Sequence, residues 1–364
     1  MNDTRTTGLM TSILDRVLGR GRHAVTVPPM DGALQPNNML DRAARVAQVV
    51  QPDNLVRLGG KLLFSSGPDM YAVDVESGPV ASEGRLDGDV CAMASMPDSR
   101  AVAISAHGRV HSIGDPSAIR IEAVCALRSV RCPTAMTAVD DRTVVVTDGS
   151  SRHRPDQWRA DLLRGESSGS VWRLDIGTGE ATKVASGLAY PAGAAIHRDG
   201  SLVVSEAWAH RLVKIGANGT RTVLLDDLPG YPSRMSPAED GGHWLCLFAP
   251  RSQLVEFVLR EREYRERMMA EIEERYWVAP ALSSGRDFRE PMQGGAIKSM
   301  GMLKPWAPTR SYGLVCKLDA DFQPQWSAHS RADGRRHGVT STVELDGRLY
   351  ACSQGGDEIV ALPV

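Results

Sequence analysis

The 364-residue chain lacks an excess of charge of either sign, because 42 lysine and arginine residues face 44 aspartate and glutamate residues. This balance argues against nucleic acid or a charged membrane surface as a partner. No apolar run reaches membrane-spanning length, and the N-terminal stretch is too polar for a signal peptide. We therefore expect a cytoplasmic protein without stable membrane insertion that acts on a small molecule. The oligomeric state stays open.

Paired cysteines are also missing. Six cysteines are scattered along the chain without a Cys-x-x-Cys spacing, which argues against a zinc site and against a redox dithiol. Free buried thiols are expected, although Cys125 and Cys132 are close enough in sequence to pair in an oxidising compartment. The chain carries no recognisable motif for a nucleotide, flavin or haem, so we predict no cofactor.

What the chain does contain is a repeated pattern of short strands. Apolar segments bounded by Gly, Asp, Asn or Pro recur, for example at 101–113, 142–151 and 201–226. A unit of turn, apolar strand, small or polar residues and second apolar strand returns at HRDGSLVVSEAWAHRLVKI, AEDGGHWLCLF and ELDGRLYACSQGGDEIVAL. Four-stranded units at intervals of about 40–50 residues are typical of a β-propeller.

We predict an all-β protein, a six-bladed β-propeller at 46–364 preceded by an N-terminal arm at 1–45. The opening turns place the blades near 53, 89, 132, 188, 231 and 335. Because the last unit runs to the end of the sequence, a strand near 45–52 is expected to complete it and close the ring.

Two stretches interrupt the strand pattern. A short helix is predicted at 154–166 and a long, charged helix at 251–277. The second belongs to a predicted insertion in blade 5, at 251–308. We expect this insertion to cap the central channel, with its methionine and aromatic residues lining a small-molecule pocket; a solvated helix face is the alternative.

Several short motifs follow one another in a fixed order: TDGSS (147–151), the predicted helix, GLAYPAG (187–193), SEAW (205–208) and PGYP (229–232). From Pro28 onward, the sequence resembles the strictosidine synthase-like family of six-bladed propellers and, more distantly, paraoxonases and gluconolactonases. The resemblance implies the propeller fold and a site at the mouth of the central channel. Because one fold carries many activities, site residues must be compared one at a time.

In the hydrolytic relatives, the resemblance implies a calcium ion at the top of the channel, held by oxygen ligands and polarising the scissile carbonyl. Asp53 keeps the acidic position of the first blade. The later positions hold Thr134 with Ala135, then Ala192, then Ser233 with Arg234. Since a guanidinium and a calcium ion repel each other at short range, no metal is predicted.

Arg234 is instead predicted to occupy the space of the metal and to form a fork with Asp53 across the channel. Two interpretations remain open. The pair only plugs the hub and joins blades 1 and 5, or the guanidinium also binds a substrate carboxylate or stabilises a developing oxyanion.

The plant strictosidine synthases use no metal and depend on a catalytic glutamate in the last blade. Thr340 stands at that position in this chain, so the Pictet–Spengler reaction is not carried over. His337 is the candidate replacement acid or base, because an unperturbed imidazole titrates near neutrality; packing is its alternative role. Asp53, Arg234 and His337 form the predicted catalytic set.

The remaining candidates follow from the same turns. The predicted substrate-binding residues are Asn54, Thr134, Tyr190, Ala192, Tyr231, Ser233 and Thr340. Tyr190, Tyr231 and Trp208 are expected to form aromatic walls or to pack in the core. Glu206 is predicted to be a buried structural acceptor, and Asp148 and Ser150 a turn motif that binds backbone N–H groups.

Three functions remain open from the sequence. The first is a metal-independent enzyme that promotes condensation, cyclisation or a related lyase step on a small organic substrate. The second is a lactone or ester hydrolase in which arginine replaces calcium. The third is a binding protein without catalysis, which the loss of both the calcium ligands and the last-blade glutamate would also produce.

Overall fold

The computed structural model describes residues 27–75, 79–114, 116–291, 298–299, 302–303 and 310–364. Six four-stranded antiparallel sheets form a six-bladed β-propeller, as predicted. The greater part of the predicted N-terminal arm, residues 1–26, lies outside the described residues. The described part of that arm contains a helix, α1 (Met39–Arg42), whose Leu40 is buried between blades 5 and 6.

Each blade has its innermost strand at the central channel and its fourth strand at the rim. From the channel outward, blade 1 contains β2 (Asp53–Leu58), β3 (Lys61–Ser66), β4 (Asp69–Asp74) and β5 (Ala81–Arg85). Blade 2 contains β6 (Val90–Ser95), β7 (Ala101–Ser105), β8 (Arg109–Gly114) and β9 (Arg120–Ala126). Blade 3 contains β10 (Pro133–Ala138), β11 (Thr143–Asp148), β12 (Gly169–Asp175) and β13 (Ala181–Leu188).

The second half of the ring follows the same plan. Blade 4 contains β14 (Pro191–Ile196), β15 (Leu202–Glu206), β16 (Arg211–Ile215) and β17 (Arg221–Leu225). Blade 5 contains β18 (Gly230–Pro237), β19 (His243–Pro250), β22 (Gly313–Leu318) and β23 (Pro324–Ser330). Blade 6 contains β24 (Val339–Leu345), β25 (Arg348–Ser353), β26 (Glu358–Pro363) and β1 (Ala44–Gln48).

Blade 6 closes the ring with strands from both ends of the described chain. Strand β1 pairs antiparallel with β26, with Ala44 opposite Ala361 and Gln48 opposite Glu358. The prediction that a strand near 45–52 completes the last blade is confirmed.

The hydrophobic core is divided among the six interfaces between neighbouring blades. Side chains alternate between the two faces of a strand, so each blade contributes one apolar face to the blade before it and one to the blade after it. One cluster of buried residues lies at each interface. This packing holds the inner strands in a ring and fixes the positions of the residues that surround the channel.

The predicted helix near 154–166 is present as a 3₁₀ turn (Pro155–Gln157) followed by α2 (Trp158–Arg164). The predicted long helix at 251–277 is wrong, because the chain forms two short helices, α3 (Gln253–Val258) and α4 (Arg262–Glu271). Val258 and Met268 share one apolar cluster, whereas a straight helix would separate them by about 15 Å. The break between the two helices, at residues 259–261, lets both residues join that cluster.

The insertion connects β19 to β22 and also contains the short strands β20 (Lys298–Ser299) and β21 (Met302–Leu303). Its helices pack against Leu163 of α2. Contrary to the prediction, they do not line the channel mouth. Within 251–291, only Leu282 lines the cavity at that mouth. Among the described residues, no helix has the length and apolar character needed to cross a bilayer.

Candidate functional site

All six inner strands carry a β-bulge near their first residues. In every blade the pairing between the inner strand and its neighbour shifts at this point. A bulge leaves a residue unpaired and re-aims its side chain and backbone groups. The residues left without a paired residue at these bulges include Cys91, Thr134, Ala192 and Thr340. These equivalent positions surround the hub of the propeller.

The side chain of Arg234 fills the centre of this ring. Its Nη1 donates to Asp53 Oδ1 at 2.6 Å and to the Thr340 carbonyl at 3.3 Å. Its Nε donates to the Thr134 carbonyl at 3.0 Å, and Nη2 donates to the Cys91 carbonyl at 2.8 Å. The contact with Asp53 expected from the sequence is present, but it uses one carboxylate oxygen instead of a two-bond fork.

The guanidinium plane of Arg234 lies across the channel, because its N–H groups point within that plane and their acceptors come from blades 1, 2, 3 and 6. On one side is an upper cavity of about 400 Å³, and on the other a lower cavity of about 370 Å³. Four of the five N–H groups are already bonded. This geometry favours the interpretation of Arg234 as a hub plug over two-bond recognition of a substrate carboxylate.

The upper cavity brings together most of the residues that the sequence predicted for the site. Those lining it are Asp53, Thr134, Tyr190, Ala192, Ser233, Arg234 and Thr340. Asn54, Tyr231 and His337 do not line it. Their roles in substrate binding or catalysis are therefore not supported by position.

The hydroxyl groups at this site differ in how they are used. Thr134 Oγ1 donates to the Pro191 carbonyl at 2.6 Å and so joins blades 3 and 4. Ser233 and Thr340 are more than nine-tenths buried, and their hydroxyl groups have no hydrogen-bond partner among the described residues. A buried polar group without a partner is costly, which favours a ligand or solvent partner for these two.

His337 lies away from the upper cavity and holds a loop of blade 6. Its Nε2 lies 2.8 Å from the Arg331 carbonyl and so carries the hydrogen, while Nδ1 lies 2.7 Å from Ser311 Oγ. Burial lowers the pKa of His337 below its ordinary value of 6.5. Both ring nitrogens are thus occupied, and the prediction of an acid or base at the site does not match this placement.

Asn54 and Tyr231 lie behind the cavity wall. Asn54 has a positive φ of 58°, which Asn tolerates better than most residues. Its side-chain amide donates to Ser65 Oγ at 2.9 Å and to the Val90 carbonyl at 2.8 Å, which joins blades 1 and 2. Tyr231 is fully buried, with its ring 5.8 Å from that of Trp208. Both residues support the wall without contributing to its surface.

Four aromatic residues that pack against one another line the upper cavity: Trp158, Tyr190, Trp208 and Phe248. The Tyr190 and Trp208 rings stack with centroids 4.2 Å apart. Trp158 packs against Trp208 at 6.3 Å and edge-on against Phe248 at 5.4 Å. Tyr190 has a φ of 56°, which is strained for a bulky residue and is typical of positions held by a functional site.

Acidic side chains also line the cavity. Asp53, Asp89 and Asp156 line it, and Arg234 is the only cationic side chain among the described lining residues, so three negative charges against one positive charge leave a net charge of −2. Cys91 also lines the cavity, but burial raises the pKa of its thiol to about 12, which makes it a poor nucleophile at neutral pH.

Sequence reasoning missed several of these residues. Asp89 directly precedes an inner strand, as a blade-by-blade comparison of turns would have shown. Asp156 and Trp158 belong to the predicted helix near 154–166, which periodicity identified without indicating which side chains face the channel. Phe248 lies near the end of β19, and the apolar sequence of that strand predicts burial in the core.

Three further residues behave as predicted. Glu206 accepts the Ala189 N–H at 2.8 Å and the Arg211 Nε–H at 2.7 Å. Asp148 accepts the Cys132 N–H at 2.8 Å, and burial raises the pKa of its carboxyl. Ser150 Oγ accepts from two backbone N–H groups, those of residues 152 and 153. These contacts are structural: they hold the turns that carry the cavity wall.

Comparison with known proteins agrees with this architecture. The family described as Strictosidine synthase matches residues 135–220. The adipocyte plasma membrane-associated protein of Bos taurus is 24% identical over 257 residues, covering 62% of this chain and 61% of that protein. Strictosidine synthase-like protein 13 of Arabidopsis thaliana is 33% identical over 109 residues, covering 29% of this chain and 27% of that protein.

Over these segments the chain is similar to the strictosidine synthase-like family. Among solved structures, a gluconolactonase from Xanthomonas campestris has a TM-score of 0.54 at 15% identity, covering 93% of this chain and 96% of that one. This likeness shows the shared propeller fold. Because the chain spans 61% of the length of the bovine relative, similarity to the strictosidine synthase-like family does not by itself transfer an activity.

The residues of the hub do not fit the calcium ion that the sequence resemblance implies for hydrolytic relatives. The Arg234 guanidinium occupies the space between the ring oxygens. Ala192 offers no side-chain oxygen, and the Thr134 hydroxyl is bonded to a neighbouring blade. No cluster of three or more His, Cys, Asp or Glu side chains suited to a metal occurs in the described part of the chain.

Proposed function

We propose that the protein is a metal-independent enzyme that binds a small organic cation in the upper cavity and promotes a condensation or cyclisation through a cationic intermediate. The observation that carries the proposal is the composition of the cavity. Four aromatic residues and three carboxylates line it, and the single lining guanidinium is already bonded within its own plane. Such a site attracts positive charge and does not offer a free cation to an anion.

The reaction class follows from this charge pattern. When a primary amine adds to an aldehyde, uptake of one proton and loss of one water molecule give a positively charged iminium ion. Attack of a nucleophilic carbon on that ion closes a ring, and a proton is released from the carbon. Carboxylates and aromatic faces stabilise the positive charge of the intermediate. Asp89 and Asp156, which line the cavity, are the candidate acceptors of the released proton in place of the missing last-blade glutamate. Asp53 remains bonded to Arg234 and helps to hold the hub.

The test is an assay of the EDTA-treated protein with a panel of arylalkylamines and aldehydes, read by mass spectrometry. We expect a product whose mass equals the sum of both reactants minus water, formed without added metal. Asp156→Asn should slow its formation at least fivefold, whereas the matched control Asp321→Asn, an exposed residue paired with Arg198, should not. Calcium-dependent opening of lactones without any condensation product would contradict the proposal and favour a hydrolase.

A further inference from the structure

A buried carboxylate stands directly behind the aromatic wall of the upper cavity. Asp161 of α2 is only 1% exposed. Its Oδ1 accepts the indole Nε1–H of Trp208 at 2.8 Å, and its Oδ2 lies 2.9 Å from His153 Nδ1. In the part of the chain that the structure describes, its ion-pair partner is His153, and no arginine or lysine lies within ion-pair distance.

This contact determines what Trp208 presents to a ligand. Because the indole N–H donates to Asp161 and one ring face stacks on Tyr190, Trp208 can offer a ligand only ring carbon atoms and the π electrons of the part of the ring that Tyr190 leaves uncovered. A hydrogen bond from the indole N–H to a carboxylate polarises the ring and makes it more electron-rich. An electron-rich indole is the best aromatic partner for a cation.

His153 fixes the second oxygen of the same carboxylate. The backbone N–H of His153 donates to Ser150 Oγ at 3.1 Å, so the TDGSS motif holds the histidine in place. Asp161 is thereby held from two sides, and both of its oxygens have defined partners. A carboxylate held in this way keeps the indole of Trp208 in one orientation.

We propose that Asp161 is a positioning residue that makes the upper cavity selective for positively charged ligands by holding and polarising Trp208. The inference rests on the proposed function in that it takes an organic cation as the ligand. It goes further by assigning the selectivity to a residue that does not line the cavity. His153 acts one step behind Asp161 and holds its second oxygen.

The test compares two probes of nearly equal shape, choline and its neutral isostere 3,3-dimethylbutan-1-ol, by NMR titration and calorimetry. We expect the wild-type protein to bind choline more tightly than the alcohol. Asp161→Asn keeps the size of the side chain and an acceptor for the indole but removes the charge. It should weaken choline binding about three- to tenfold and change binding of the alcohol less than twofold.

A double-mutant cycle separates this effect from general destabilisation. In Trp208→Phe, which removes the indole N–H, adding Asp161→Asn should change choline binding less than twofold, because the coupling has already been lost. Asp321→Asn is the control for a remote negative charge. If Asp161→Asn does not fold, as judged by its thermal melt, Trp208→Phe alone must still lose selectivity for choline.

Three results would overturn the inference: equal binding of both probes by the wild-type protein, no binding of either, or an equal effect of Asp161→Asn on both. A different result would contradict the proposed function. Charge-selective binding without any condensation product would leave the inference standing and remove the enzymatic assignment.

Discussion

Replacing Arg234 by alanine removes a side chain that bonds to four other blades at the hub. The guanidinium bonds to Asp53 and to the carbonyls of Cys91, Thr134 and Thr340, at distances between 2.6 and 3.3 Å. Because cavities lie on both sides of it, solvent can enter the vacated space and bind the three carbonyls. The main cost is therefore the loss of the partner of Asp53.

The size of this cost can be bounded. Removing one member of a buried ion pair costs about 3–5 kcal/mol, and the side chains of Arg234 and Asp53 are 18% and 19% exposed. Partial solvation lowers the expected loss in unfolding free energy to roughly 2–4 kcal/mol. With an unfolding entropy of about 2.1 cal/mol/K for each residue, a chain of 364 residues should lose about 3–5 °C in Tm.

Differential scanning calorimetry of Arg234→Ala measures this loss directly. Arg234→Lys keeps the charge but not the planar set of donors, so its Tm should fall by a smaller amount. Guanidinium chloride at low millimolar concentration should raise the Tm of Arg234→Ala more than that of the wild type, because the oxygen ring is then open to a cation. An unchanged Tm for Arg234→Ala, with activity lost, would refute the assignment as a hub plug.

Two further predictions follow from shifted pKa values. Burial alone would raise the pKa of Glu256, but its contacts with His210 and Arg251 lower it from 4.5 to about 2. A lowered pKa stabilises the fold above pH 4.5 and ceases to do so as the pH falls to about 2, so Glu256→Gln should cost roughly 3 kcal/mol at pH 7 and much less at pH 3 in urea denaturation. An equal cost at both pH values would contradict this. Because burial raises the pKa of Cys91 to about 12, iodoacetamide at pH 8 should label Cys91 more slowly than the half-buried Cys125, as read from peptide masses; faster labelling of Cys91 would show that its thiol is accessible and ionised.

The fold was predictable because its signals are local. Turn residues and apolar alternation mark every blade, and the run of strands to the end of the sequence requires a partner strand near its beginning. The long helix at 251–277 was not predictable in the same way. Its bend depends on which apolar residues meet in three dimensions, in this case Val258 and Met268, and charged residues between them give no local stop signal.

The candidate site was predictable where it coincides with a turn shared by several blades. Asp53, Arg234 and Thr340 were located in this way and do surround one hub. His337 lies only three residues from Thr340 in sequence. Thr340, however, stands at the bulge of β24, whereas the ring of His337 bonds to the Arg331 carbonyl in the preceding loop. The carboxylate of Asp161 was missed because its partner Trp208 comes from another blade, and spacing carries no information about such contacts.

The pairing that closes blade 6 also sets an order of events. The strands β1 and β26 lie 310 residues apart at their nearest paired positions, 48 and 358. Bringing such distant segments together costs roughly 5 kcal/mol of chain entropy beyond a constant term, so this step comes after the sheets with local pairing have formed. The other five blades are each built from strands that follow one another in the sequence, whereas blade 6 takes its outer strand, β1, from the N-terminal part of the described chain. Detachment of β1 would leave the edge of β26 unpaired, so closure of the ring depends on a five-residue strand.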